Sequence, residues 1–354
     1  MKPSAKNYKR IVIKIGSSLF CTGNVLDFSF VQGIAQQIAL LRQEGREILL
    51  VSSGAIALGM SLLKLAGRPK ELSQLQAVAA IGQNELMNMY RGFFEKHDAH
   101  CAQVLLTWED FDSRKRYLNA KNTLLTILKL GSIPIINEND TVSTEEIKFG
   151  DNDRLSALVA AAVSADLLVM LSDIDGLLGE DKKTVVRIVD EITPKIKKLA
   201  CPTDKATCVG GMITKLEAAR IAIDSGIPCI IANGRREDIV NLAVNKPQES
   251  GTLFISKKNL DARERWIAFG TKPKGKIIVD AGAKNALLKR KSLLSVGVVT
   301  AEGGFDQGDI VSIAEAQSGE FARGRSNLSL RQLDKVKGKR FDKEVIHSNN
   351  IVIL

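Results

Sequence analysis

Lys14 lies one residue from the end of the apolar run Arg10 to Ile15, RIVIKI, and a lysine so placed must snorkel, pair with an acid or meet a ligand. Other polar clusters interrupt apolar runs in the same way. Glu47 to Val51 runs into Ser52-Ser53-Gly54-Ala55, a strand, glycine turn and helix in which backbone N–H groups and serine hydroxyls face a ligand. Ile133 to Ile136 is followed by Asn137, Glu138, Asn139 and Asp140, poor strand formers that should end the strand. Gly150-Asp151-Asn152-Asp153 precedes the helix-forming run Leu155 to Val163 and so belongs at a helix amino terminus. Leu167 to Leu171 ends in Ser172-Asp173. Val209-Gly210-Gly211-Met212-Ile213-Thr214-Lys215 opens a helix to Asp224; its adjacent glycines admit a phosphate close to the backbone and its lysine adds charge.

Carboxylates and amides gathered at strand ends suit a substrate carrying an amine or hydroxyl, or a metal-bound phosphate. Taken singly, each cluster also has a plainer reading, because Asn and Asp form turns, Ser-Gly turns pack, and a glycine pair hinges an ordinary helix. The glycine-lysine segment is not a Walker A sequence, and no G-x-G-x-x-G follows any strand, which weakens a dehydrogenase reading.

The elements that must position these clusters alternate. Strands are expected at Arg10 to Ile15, Glu47 to Val51, Ala102 to Leu106, Ile133 to Ile136, Leu167 to Leu171, Thr184 to Val189 and Cys229 to Ala232. Helices are expected at Phe30 to Glu44, Ser73 to Glu95, Lys121 to Lys129, Leu155 to Val163 and Lys195 to Ala200, besides the one ending at Asp224. The alternation implies an α/β fold, a mostly parallel open sheet with helices on both faces and a crevice at the strands' carboxyl ends. After Lys258 short strands and glycine turns take over, at Lys276 to Asp280, Gly297 to Ala301, Ile310 to Ile313 and Ile351 to Leu354. The expected organisation is a catalytic domain over residues 1–258, a linker over 259–274 and a small β-rich domain over 275–354.

A chain of 354 residues exceeds one typical core. Of the net charge of +10, residues 256–354 carry 19 Lys+Arg against 11 Asp+Glu, so the basic excess belongs to the tail. That face is either solvated or meets an anionic partner, and an aromatic share of 5% offers little for stacking bases. The five cysteines form no C-x-x-C pair and the three histidines show no metal-ligand spacing, so no protein metal site is expected and a reducing cytoplasm fits. No apolar run is long enough for a bilayer, and the opening MKPSAKNYKR lacks a signal peptide's apolar core.

These segments together resemble the amino acid kinase family, in the branch that phosphorylates glutamate and carries a C-terminal PUA domain. The resemblance rests on IVIKIGSS around Lys14, VSSGAIALG around Ser53, INEND ending at Asp140, IKFGDNDRLSAL around Asn152, LSDIDGL around Asp173 and GGMITK ending at Lys215. In the tail it rests on VDAGAKNALL and ARGRSNLS. It implies ATP with Mg²⁺ and transfer of a phosphoryl group to the side-chain carboxylate of L-glutamate, the opening of proline biosynthesis. It further implies that Lys14 and Lys215 contact phosphate, Asp153 holds both, and Ser53, Asp140 and Asn152 bind the amino acid. Lys14, Ser172, Asp173 and the segment Val209, Gly210, Gly211, Met212, Ile213, Thr214 and Lys215 match nucleotide-binding positions. Proline as feedback inhibitor, a homo-oligomer and hand-over of product to a glutamate 5-phosphate reductase are also implied. Val209 departs from the family's usual threonine, and Leu177-Leu178-Gly179-Glu180-Asp181 replaces its T-x-D-P-R motif. An acetylglutamate or aspartate kinase is the alternative within the fold, and an RNA-binding protein the alternative outside it.

Overall fold

The structure is a computed structural model describing residues 8–22, 25–143, 152–200, 211–256, 262–269, 271–316 and 319–354. The chain divides into two compact units, Met1–Asp110 with Arg114–Lys258, and Phe111–Ser113 with Asn259–Leu354.

The first unit is built on eight strands: β1 (Arg10–Ile15), β2 (Glu47–Ser52), β3 (Cys101–Leu106), β4 (Ile133–Glu138), β5 (Leu167–Ser172), β6 (Ile188–Val189), β7 (Cys229–Asn233) and β8 (Gly251–Phe254). Their order is β3-β4-β2-β1-β5-β7-β8-β6. Every pairing is parallel except that of β7 with β8. In β1, β2, β4 and β5 nearly every residue is buried, because helices cover both faces of a parallel sheet. This is the doubly wound α/β architecture expected from the alternation.

Several elements exceed their sequence-based bounds. β4 runs on through Asn137 and Glu138, which were expected to end it, because β3 supplies pairing partners Leu105 and Leu106; both side chains are buried. The helix expected from Lys121 begins at Arg114, whereas the strand expected over Thr184 to Val189 shrinks to Ile188–Val189. β8 carries no alternating pattern that marks it in the sequence; it joins the sheet by pairing antiparallel to β7.

Helix α1 (Ser29–Gln43) turns Val31, Ile34, Ile38 and Leu41 to the core, at the spacing that predicts it. Helices α2 (Ala55–Leu62) and α3 (Leu72–Glu95) approach almost backbone to backbone. A Cβ on Gly82 of α3 would lie 1.8 Å from Ala55 O and 2.4 Å from Gly59 N of α2. Since α2 starts directly after Ser53 and Gly54, that contact fixes the turn. Gly54 has φ +109°, a conformation open to glycine and strained for other residues. In α3, Leu75, Val78, Ala79, Gly82 and Leu86 are buried, Met89 and Phe93 are partly buried, and Tyr90 and Phe94 fill the centre.

Helix α4 is Arg114–Lys129, α5 is Asp153–Val163 and α6 is Met212–Asp224; α5 packs against β1, β5 and α6. Among the described residues no helix is long and apolar enough to cross a membrane.

The second unit holds β9 (Gly275–Val279), β10 (Val298–Gly303), β11 (Ile310–Glu315), β12 (Gly319–Arg325) and β13 (Ile351–Ile353), in the order β10-β9-β11-β12-β13. Ile277, Val279, Val311, Ile313, Leu333 and Ile346 form its core. β12, GEFARGR, has too few apolar residues to be read as a strand; it forms by pairing between β11 and β13. Residues 259–274, expected as a linker, include helix α7 (Ala262–Phe269), whose Trp266, Ile267 and Ala268 are buried.

Two glycines of α3 offer a test of opposite signs. Gly82→Ala forces α2 away and should destabilise the fold by about 1–3 kcal/mol. Gly92→Ala, with nothing within 4 Å, should stabilise it by up to about 1 kcal/mol through helix propensity. Urea unfolding of both variants measures this; a stabilised Gly82→Ala would contradict the close helix contact.

Candidate active site

β1 stands where the strand order reverses, since the chain passes from β1 to β2 on one side and, after β4, to β5 on the other. Open α/β sheets bind ligands in the crevice at the strands' carboxyl ends at that position. Lys14 sits near the end of β1, Ser53 just past β2, Asn137 and Glu138 at the end of β4, and Ser172 and Asp173 at the end of β5. Asn152 and Asp153 open α5, and Thr214 and Lys215 lie in the first turn of α6.

At the centre is Asp153, with 0% of its surface exposed. Lys14 Nζ donates to its Oδ1 at 2.5 Å and Lys215 Nζ to its Oδ2 at 3.1 Å. Thr214 Oγ1 also donates to Oδ2, at 3.1 Å. Lys14 is 2% exposed and Lys215 7%, so both ion pairs are largely withdrawn from water. Two ammonium groups against one carboxylate leave a net positive charge, which suits an anion. Removing Asp153 would take a shared carboxylate from two buried cations, and breaking a buried pair costs about 3–5 kcal/mol. Beside it, the Arg154 guanidinium stacks 3.9 Å over the Trp108 ring and pins the start of α5.

The second feature is a relay of amides. Asn152 precedes α5 but makes no side-chain cap bond, unlike the usual asparagine at that position. Its Nδ2 instead donates to Ser52 O and Ser53 Oγ, both at 3.1 Å, and to Asn137 Oδ1 at 2.7 Å. Asn137 Oδ1 also accepts from the Glu138 N–H at 2.9 Å, and Asn137 Nδ2 donates to Gln83 Oε1 at 2.8 Å. Ser52 Oγ in turn shares a 2.7 Å hydrogen bond with Tyr90 OH, tying the end of β2 to α3.

Two carboxylates border these groups. Burial raises the Asp173 carboxyl, but hydrogen bonds from Ser172 and Ser18, its own backbone and the Lys215 charge outweigh that and hold it below its ordinary value. Ser172 Oγ and Ser18 Oγ each lie 3.0 Å from Asp173 Oδ1. Asp140, two residues past β4, behaves oppositely: burial pushes its carboxyl up to about 6, with the Arg68 charge acting against the rise.

The sequence-derived residues thus fall into two groups, Lys14, Asp153, Thr214 and Lys215 in one and Ser53 and Asn152 in the other. Asp140 follows β4 and the Ser172-Asp173 pair ends β5, with β2 and β1 between those strands. Gly211, Met212 and Ile213 begin α6, whereas Val209 and Gly210 lie outside the described residues. From the sequence, Asn137 belongs to a polar cluster with no role assigned to it, and Gln83 is not singled out. Gln83 carried a signal, being a polar residue on the apolar face of α3 between Ala79 and Leu86.

Residues 9–233 match the amino acid kinase family and residues 275–348 match the PUA domain. A glutamate 5-kinase of Caldanaerobacter subterraneus subsp. tengcongensis is 44% identical, with 98% of each chain covered. Glutamate 5-kinases of Carboxydothermus hydrogenoformans and Citrifermentans bemidjiense are 43% and 42% identical, each over 100% of both chains. With the two domains matched in order and relatives aligned along almost the whole length, the chain belongs to the amino acid kinase family, in the branch of the glutamate 5-kinases.

Proposed function

We propose that this chain transfers the γ-phosphoryl group of ATP to the side-chain carboxylate of L-glutamate, giving glutamate 5-phosphate and ADP, the first step of proline biosynthesis. The observation that carries the reading is the pair of buried lysines held on Asp153 where the sheet's strand order reverses. A carboxylate attacking a phosphoryl group brings two anions together, so the protein's task is to neutralise charge and align the groups. One carboxylate oxygen of glutamate forms the new bond to phosphorus, while the bond to the β,γ-bridging oxygen breaks and its electron pair leaves on ADP.

In this reading Lys14 and Lys215 contact the transferring group, and Asp153 sets their spacing. Ser53, Asn152 and Asp140 take the amino acid, with Asp140 receiving its ammonium group. Ser172, Asp173 and Gly211 to Lys215 take the nucleotide, whose phosphates meet the amino end of α6. Among the described residues no group of three or more His, Cys, Asp or Glu side chains gathers as a metal site, and Asp153 is engaged by lysines. Mg²⁺ therefore fits best as an ion held chiefly by the nucleotide's own phosphates, where it neutralises their charge.

The product is an acyl phosphate, labile in water, which favours a closed site and rapid hand-over to a glutamate 5-phosphate reductase. A cytoplasmic homo-oligomer supplied with ATP and glutamate suits that chemistry. Proline resembles a cyclised glutamate backbone, so feedback inhibition is assigned to the glutamate side, from Asp140 to Asp153. The near-full-length glutamate 5-kinase relatives favour this reading over an acetylglutamate or aspartate kinase and over RNA binding as the main function.

The reading is tested by ADP release with Mg–ATP and a panel of acids; glutamate should be the preferred acceptor, and preference for acetylglutamate or aspartate would overturn it. Lys14→Met and Lys215→Met keep the apolar stem and remove the charge. Each should lower kcat about a hundredfold or more, with glutamate KM changed only a few-fold, because a transition-state contact of this kind contributes on the order of 3 kcal/mol. Near-normal kcat in either variant would remove that lysine from the chemistry.

Asp140 predicts a pH dependence. Its folded pKa of about 6 exceeds its ordinary 3.8, so between those values the folded state binds the extra proton and its contribution to stability falls as pH rises. Ammonium binding needs the ionised form, so kcat/KM for glutamate should drop as pH falls below about 6. Asp140→Asn should raise glutamate KM and abolish that limb; a limb retained in the variant would assign the titration elsewhere. Millimolar proline should slow the enzyme at subsaturating glutamate, and an unaffected rate would exclude feedback at this cleft.

A further inference from the structure

The relay of amides ends on a group that the phosphoryl-transfer reading does not use. Gln83 is 9% exposed, and its Nε2 is buried with no hydrogen-bond partner among the described residues. Native proteins rarely leave such a donor unsatisfied. Buried amides persist where they specify geometry or await a ligand.

The polarity of the relay fixes which end of Gln83 is unsatisfied. Ser52 O can only accept, so the Asn152 atom facing it is the nitrogen. That nitrogen and the Glu138 N–H both point at one Asn137 atom, which must be the oxygen. Asn137 therefore presents its nitrogen to Gln83, and the Gln83 oxygen is the atom that receives it. The remaining Gln83 atom is a donor with two protons. A donor selects an acceptor, which excludes the ammonium of an amino acid and points to one of its carboxylates.

The side-chain carboxylate of the substrate belongs with the lysines on Asp153, whereas Gln83 connects to the Asn137, Asn152 and Ser53 side of the site. We infer that Gln83 Nε2 is a substrate-binding donor for the α-carboxylate of the bound amino acid, held in orientation by Asn137. This inference rests on the glutamate kinase reading and adds a residue to its amino-acid side. It also accounts for a glutamine in a helix whose neighbouring buried positions are apolar or glycine.

The test is steady-state kinetics of the full chain with glutamate and Mg–ATP varied in turn, on the wild type, Gln83→Glu and Gln83→Met, with unfolding midpoints alongside. Gln83→Glu keeps an oxygen for Asn137 and replaces only the free donor; Gln83→Met removes the donor while keeping the bulk. Both should raise glutamate KM on the order of tenfold or more while ATP KM stays within about twofold, as expected for a lost hydrogen bond to a charged group. A glutamate KM within about twofold of wild type in either folded variant overturns the inference, as does an equal rise in ATP KM. If one variant fails to fold, the other decides by the same criteria. A wild type that does not turn over glutamate defeats the kinase reading itself, a result distinct from any difference between variants.

Discussion

The site depends on one buried carboxylate. Asp153 has no exposed surface and receives both lysine ammonium groups and a threonine hydroxyl, so the positions of Lys14 on β1 and Lys215 on α6 are set by one atom group at the start of α5. Ions withdrawn from water in this way contribute little net stability, and their value lies in geometry. They hold positive charge at a fixed spacing before a ligand arrives, so no reorganisation is needed when charge develops on it. The start of α5 is favourable for a carboxylate because the helix dipole is positive there.

The rest of the first unit can be understood as support for that carboxylate and for the amides beside it. Asn152 gives up the capping bond that its position normally provides and turns its amide to Ser52, Ser53 and Asn137. The lost local bond is offset by a network across β2, β4 and α3 in which each member fixes the polarity of the next. The glycine contact between α2 and α3 serves the same end, since it holds the Ser53 turn on one side and Gln83 on the other. In the first unit the departure of Asn152 from its local preference falls at the candidate site, as expected when a site and its scaffold make different demands on the chain.

Much of this was legible in the sequence. β1 and the spacing of α1 follow from unbroken apolar periodicity, and the polar clusters around Lys14, Ser53, Asn152 and Asp173 stand out because each interrupts such a pattern. What could not be read depended on partners distant in the chain. β4 outlasts its apolar residues because β3 pairs with Asn137 and Glu138, and β12 exists because β11 and β13 flank it. Gln83 was not legible in this way, because a single polar residue on an apolar face gains meaning only when Asn137 is found 2.8 Å away. The resemblance supplied roles for residues but not the relay that orients them.

Phosphoryl transfer to a carboxylate beside the charge cluster on Asp153 can be observed by trapping with hydroxylamine, because an acyl phosphate reacts with it to give a stable hydroxamate. With glutamate, Mg–ATP and hydroxylamine, the wild type should form the 5-hydroxamate of glutamate in equal amount to ADP, and Asp153→Asn should form neither at a comparable rate. ADP released without hydroxamate, or hydroxamate formed at the wild-type rate by Asp153→Asn, would contradict the account.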